Sequence, residues 1–75
     1  MKTMNYNEFG SNIKKLMKQK GIKVKDISRA LLISDAAVYY WLKSEKMPDL
    51  ANLVSLADIL DVTLDELVPR MEIEL

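Results

Sequence analysis

Residues 24 to 43, VKDISRALLISDAAVYYWLK, constrain this chain more than any other stretch. Val24, Ile27, Ala30 and Leu31 recur at the three- and four-residue steps that line one face of a helix. Beyond Leu32, Ile33 and Ser34 the pattern resumes with Ala37, Val38, Trp41 and Leu42. Ser34 stands where an N-cap belongs, its hydroxyl placed to accept from the Ala36 or Ala37 amide. The reading is helix, tight turn, helix. Two helices this short are not stable alone in water, so the rest of the chain has to supply a scaffold.

That scaffold is also legible as helices. Tyr6, Phe9, Ile13, Leu16 and Met17 form an apolar stripe from about Tyr6 to Lys20, with Lys14, Lys15 and Lys18 off it. Gly21 suits the left-handed position that closes such a helix, and the lysines before it suit the negative end of the helix dipole. The second helix starts near Lys23 or Val24. After Lys43, SEKMP reads as a loop, and Asp49 as the N-cap of a fourth helix whose stripe is Leu50, Leu53, Leu56, Ala57 and Leu60. Thr63 with Asp65 or Glu66 opens a last short helix, ended by Pro69, in which Leu64, Leu67 and Val68 close the core. No heptad run persists, so the fold class is all-α, a compact orthogonal bundle of about five helices spanning residues 6–68.

The two ends differ. Residues 1–5 carry no periodic signal and read as a flexible N-terminus. In residues 69–75, Met71, Ile73 and Leu75 alternate with Glu72 and Glu74, the period of a strand with one apolar face. An all-helical domain offers such a strand no partner. The tail is therefore either an unstructured end or a dimerising strand with Met71, Ile73 and Leu75 as its contacts, paired with its copy or packed on another subunit.

Composition narrows function by exclusion. A chain of 75 residues with no cysteine and no histidine lacks thiolates, disulfides and the commonest metal ligand and acid-base group. No metal, cofactor or small-molecule ligand is expected, and no enzyme. No apolar run approaches the roughly 18 residues of a membrane span, so a cytoplasmic protein without membrane partners is expected. The net charge of zero is divided along the chain. Residues 1–46 carry ten lysines and arginines against four acids, a net of +6, and residues 47–75 one arginine against seven acids, a net of −6. The basic half is either a surface for a polyanion or a set of ordinary solvated faces.

The segments IKKLMKQKGI, VKDISRALLIS, AAVYYWLKSEKMPDLANLVSLADILDV and TLDEL, in that order and spacing, resemble the Cro and lambda-repressor (Xre-like) family of helix-turn-helix DNA-binding domains. The resemblance runs from about Phe9 to Val68. It implies that Ile27, Leu31, Val38 and Trp41 are the motif core, and that the third helix enters the major groove of double-stranded DNA by its N-terminal end. Asp35, Ala36, Tyr39 and Tyr40 are then the candidate base readers, and Lys23, Lys25, Ser34, Lys43 and Lys46 the candidate phosphate contacts. The implied function is sequence-specific DNA binding by a small transcriptional regulator, a repressor acting as a homodimer.

Three features of the motif depart from the family pattern. Leu32 stands where the family typically has glycine, so the turn is either left-handed and strained there by about 1–2 kcal/mol or of another geometry. Val24 replaces a glutamine that often grips a phosphate. Asp35, Ala36 and Ala37 replace long amides or arginine: an ionised carboxylate only accepts, from cytosine N4 for instance, and alanine touches only a thymine methyl. Tyr39 and Tyr40 are left to stack, to donate to phosphate or to cover apolar surface. Leu42, where relatives often carry a charge, supports an alternative in which Tyr39, Tyr40 and Leu42 form a protein-interaction surface on the same fold.

Overall fold

The computed structural model of the chain describes the backbone of residues 2–4 and 6–72 and the side chains of residues 7–69. The elements run β1 (Lys2–Met4), α1 (Tyr6–Lys20), α2 (Val24–Leu31), α3 (Asp35–Leu42), α4 (Leu50–Leu60), α5 (Leu64–Leu67) and β2 (Arg70–Glu72). One core joins the helices. Phe9, Ile13, Leu16 and Met17 of α1 pack with Ile27 of α2, Val38, Trp41 and Leu42 of α3, Leu56, Ala57 and Leu60 of α4 and Leu67 of α5.

Helix starts follow from local chemistry. The Ser34 hydroxyl accepts from the Ala37 amide at 3.1 Å, the Asp49 carboxylate from the Asn52 amide at 2.9 Å and the Thr63 hydroxyl from the Glu66 amide at 3.1 Å. Each satisfies an amide that a helix start leaves without an intrahelical partner. At α2 the N-cap residue is Lys23, whose side chain has no acceptor, so the cap is reversed: its backbone amide donates to the Asp26 carboxylate at 2.8 Å.

Helix ends share one device. Gly21, Leu32, Ser44 and Asp61 all have left-handed backbones, with φ of 68°, 57°, 57° and 54°. In each case the left-handed residue's amide bonds three residues back and the next amide five back, as with Leu32 to the Arg29 carbonyl and Ile33 to the Ser28 carbonyl. Only the first is glycine. Leu32, with ψ 44°, thus adopts the strained alternative of the two open for the turn.

Several expectations are corrected. Residues 2–4, read as lacking an element, form β1, and the tail strand finds its partner inside the chain: β1 and β2 pair antiparallel, with Lys2 opposite Glu72, Thr3 opposite Met71 and Met4 opposite Arg70. The helical body brings both chain ends together, a proximity that no local pattern encodes. Ile73 and Leu75 lie outside the described residues. Leu50 is 72% exposed rather than part of the α4 stripe, because the buried residues of α4 lie in its second half. Ala30 and Leu64 also face outward. Leu42 is buried in the core and is not available to a partner surface.

Candidate nucleic-acid interface

The turn between α2 and α3 is held by more than its apolar inner face. Ile27 and Val38 are fully buried, Trp41 nearly so, and Leu31 is half-buried against the same cluster. Across the turn, the two oxygens of the Asp35 carboxylate are both engaged by α2. Oδ1 accepts from the Ser28 hydroxyl at 2.5 Å, and Oδ2 lies 2.7 Å from the Lys25 ammonium. Ser28 also lies 3.3 Å from the Lys25 carbonyl, but a hydroxyl carries one proton and the shorter contact to a charged acceptor takes it. The hydrogen bond from Lys25, followed by that from Ser28, holds the Asp35 carboxyl below its ordinary value of 3.8. Asp35 is therefore a brace between the two motif helices, ionised at neutral pH and bound to α2 through both carboxylate oxygens.

A second joint fixes α3 from behind. Gly10 of α1 packs against the end of α3 so closely that a β-carbon there would lie 2.1 Å from the Leu42 carbonyl oxygen. Its amide donates to the Ser44 hydroxyl at 2.8 Å. Two residues further along α1, the Asn12 amide group donates to the Glu66 and Leu67 carbonyls at 2.9 and 2.7 Å, tying down the last turn of α5.

With α3 held from two sides, its outer face is defined. Ala36, Tyr39, Tyr40 and Lys43 line one open groove, and Ser34, Ala36, Ala37, Tyr40, Trp41, Lys46 and Met47 line another beside it. Tyr39 and Tyr40 are 50% and 40% exposed. The Lys46 ammonium sits 4.5 Å from the centre of the Tyr40 ring, a cation–π contact that orders both side chains.

Of the residues singled out from sequence, Ala36, Tyr39, Tyr40, Lys43, Lys46 and Ser34 thus come together on one surface. Asp35 does not join it as a free carboxylate. The Lys25 ammonium is paired to Asp35, although its side chain is 67% exposed. Lys23 is exposed at the start of α2, but Asp26 occupies its amide. Met71 belongs to β2, whose backbone pairs with β1. Sequence reasoning missed Ser28, Gly10 and Asn12. Ser28 is a polar residue on the buried side of α2, which is the one signal that could have found it.

A helix-turn-helix family model matches residues 13–67, which is most of the chain. The chain belongs to the helix-turn-helix family. Solved structures agree with this helix-turn-helix fold. The restriction-modification controller protein C.AhdI from Aeromonas hydrophila superimposes with a TM-score of 0.74 at 22% identity, over 83% of this chain and 94% of that one. A transcriptional regulator from Listeria innocua is similar at 33% identity and a TM-score of 0.73, over 80% of this chain but only 56% of the regulator's length. The DNA-binding domain of S. venezulae BldD gives 0.70 at 18% identity, over 85% and 96%. Among curated proteins no match is found.

Proposed function

We propose that this helix-turn-helix protein is a small transcriptional regulator that binds double-stranded DNA sequence-specifically, with α3 in the major groove. The observation that carries the reading is the composition of one surface: Ala36, Tyr39 and Tyr40 face outward from α3, flanked by Lys43 and Lys46, while the carboxylate of Asp35 is drawn onto α2. A recognition helix needs a protruding face without free negative charge, and cations beside it for the phosphates. Lys43, Lys46 and the Ser34 hydroxyl supply donors on this surface. Lys23 and Lys25 at the start of α2 extend them, Lys25 approaching a phosphate from its exposed side while it stays paired with Asp35.

The protein acts as a homodimer reading two half-sites about 34–36 Å apart, since one module of this size buries too little for useful specificity alone. Occupying DNA near a promoter then represses. Met71, with Ile73 and Leu75, remains the candidate dimer contact. Light scattering on the whole chain and on a chain ending at Pro69 tests it: a mass that halves on truncation supports the contact, and an unchanged mass removes it.

DNA binding itself is tested by fluorescence anisotropy on mixed-sequence duplex at low and moderate salt. Affinity falls with salt at a slope of about 0.9 per phosphate neutralised, and Lys43→Ala and Lys46→Ala each lower that slope by about 0.9. No binding at low salt would leave the alternative, a protein-interaction surface formed by Tyr39 and Tyr40. Burial of Leu42 weakens that alternative by removing one of its three residues.

A further inference from the structure

The outer face of α3 is short of hydrogen-bonding chemistry in a way that decides how it reads sequence. The helix, DAAVYYWL, contains no arginine, lysine, asparagine or glutamine. It therefore cannot itself make the paired contacts by which arginine or lysine reads guanine and the amides read adenine, and the outward donors it does carry are the single hydroxyls of Tyr39 and Tyr40. Its one acid is the natural acceptor for cytosine N4, but both carboxylate oxygens are held, by Ser28 at 2.5 Å and Lys25 at 2.7 Å. Reading cytosine would first break both contacts.

What the face does offer is apolar relief. The groove between Ala36, Tyr39, Tyr40 and Lys43 has a volume of about 340 Å³. The neighbouring one, which shares Ala36 and Tyr40, has about 240 Å³ and includes Ala37, Trp41 and Met47 in its walls. Ala36 lines both grooves and Ala37 the smaller one, each leaving room beside Tyr40, and the Lys46 ammonium lies 4.5 Å from the centre of that ring. Lys43 and Lys46 give both grooves a cationic margin, which suits a polyanion rather than an apolar protein helix.

The edges of the bases in the major groove carry a single kind of apolar projection, the C5-methyl of thymine. We propose that α3 selects sites by seating thymine methyl groups in the two grooves beside Ala36 and Tyr40, so that 5-methylpyrimidines are preferred by van der Waals burial rather than by base-edge hydrogen bonds. This rests on the DNA-binding reading above and specifies its chemistry.

The test compares the full chain on an alternating dA–dT duplex and on its dA–dU counterpart, of equal length and at equal salt. The two differ only in the methyl group. Affinity drops about fourfold for each methyl lost, the worth of one buried carbon, and 5-methylation of cytosine in a G–C duplex raises affinity. Ala36→Gly reduces the ratio between dA–dT and dA–dU while leaving the salt slope unchanged. Ala36→Ser, which keeps the β-carbon and adds a hydroxyl to the floor, does the same and stands in if the glycine variant fails to fold. Binding to both duplexes with equal affinity overturns the methyl reading and leaves DNA binding intact. Binding to no duplex at low salt overturns both.

Discussion

Leu32 is the residue whose replacement tests most directly how this fold is held together. It sits at φ 57° and ψ 44°, where a residue with a β-carbon is destabilised by about 1–2 kcal/mol. Its side chain is 92% exposed, so removing it forfeits almost no buried apolar area. The two bonds that close the turn, Leu32 to the Arg29 carbonyl and Ile33 to the Ser28 carbonyl, use backbone atoms and survive substitution. Against the relieved strain stands the greater freedom of glycine in the unfolded chain, about 0.5–1 kcal/mol. The balance for Leu32→Gly is a gain of up to about 1.5 kcal/mol with a midpoint of about 0.75, which is about 3–6 °C in Tm for a domain of this size. Leu32→Ala is the control, because it removes the same side chain and keeps the strain; its Tm should stay close to that of the parent. Thermal melts followed by circular dichroism, with urea midpoints at unchanged m, measure all three. A glycine variant no more stable than the parent refutes the strain argument. An alanine variant that gains as much as glycine would refute it too, by locating the effect in the side chain.

Gly10→Ala tests the opposite balance. Helix propensity alone favours alanine by about 1 kcal/mol, but a β-carbon 2.1 Å from the Leu42 carbonyl oxygen forces α1 and α3 apart, and a net loss of about 1–3 kcal/mol is expected by urea unfolding. Asp35→Asn should be less stable than the parent at neutral pH. Because the native carboxyl is held below 3.8, the contribution of Asp35 is fully present above that pH and is lost as pH falls through the lowered native value, so the two stability curves converge in acid. Curves that stay parallel down to pH 2 would remove the brace from the account. Asn12→Ala leaves the Glu66 and Leu67 carbonyls to water, with an expected loss of about 1 kcal/mol and faster hydrogen exchange in α5; unchanged exchange would mean that α5 is held by Leu67 alone.

The features legible in the sequence are those whose causes are local. Ser34, Asp49 and Thr63 cap the helices they precede because a hydroxyl or carboxylate and the amide it accepts from lie within three residues. The inner faces of α2 and α3 follow from spacing, and Ile27, Val38 and Trp41 are buried accordingly. Where a residue's fate depends on a distant element, pattern fails. Leu50 and Leu64 have the right spacing yet stay 72% and 43% exposed. β1 is too short to alternate, and β2 gains a partner only because the helices return the chain to its start. The contact of Gly10 with the Leu42 carbonyl joins backbones more than thirty residues apart, and its only trace in the sequence is a glycine on a helix that propensity would rather fill.

Asp35 shows how such a distant cause changes the meaning of a site residue. By position alone it is the first base reader of α3, and a poor one, since its charge repels the phosphates that α3 must approach. A carboxylate in the first turn nevertheless favours the helix, because it faces the positive end of the dipole. The two demands conflict only while the side chain points outward. Ser28, seven residues earlier, and Lys25, ten earlier, lie one turn of α2 apart and both engage the carboxylate, so the charge stays at the helix start but is held against α2. What α3 then shows to a ligand is shaped by small and aromatic side chains, with cations beyond its C-terminal end. The fold and the reading surface are thus coupled through one side chain. Loosening Ser28 or Lys25 returns a negative charge to the outer face, and any duplex that attracts Lys25 to a phosphate does so against the contact that keeps Asp35 out of the way.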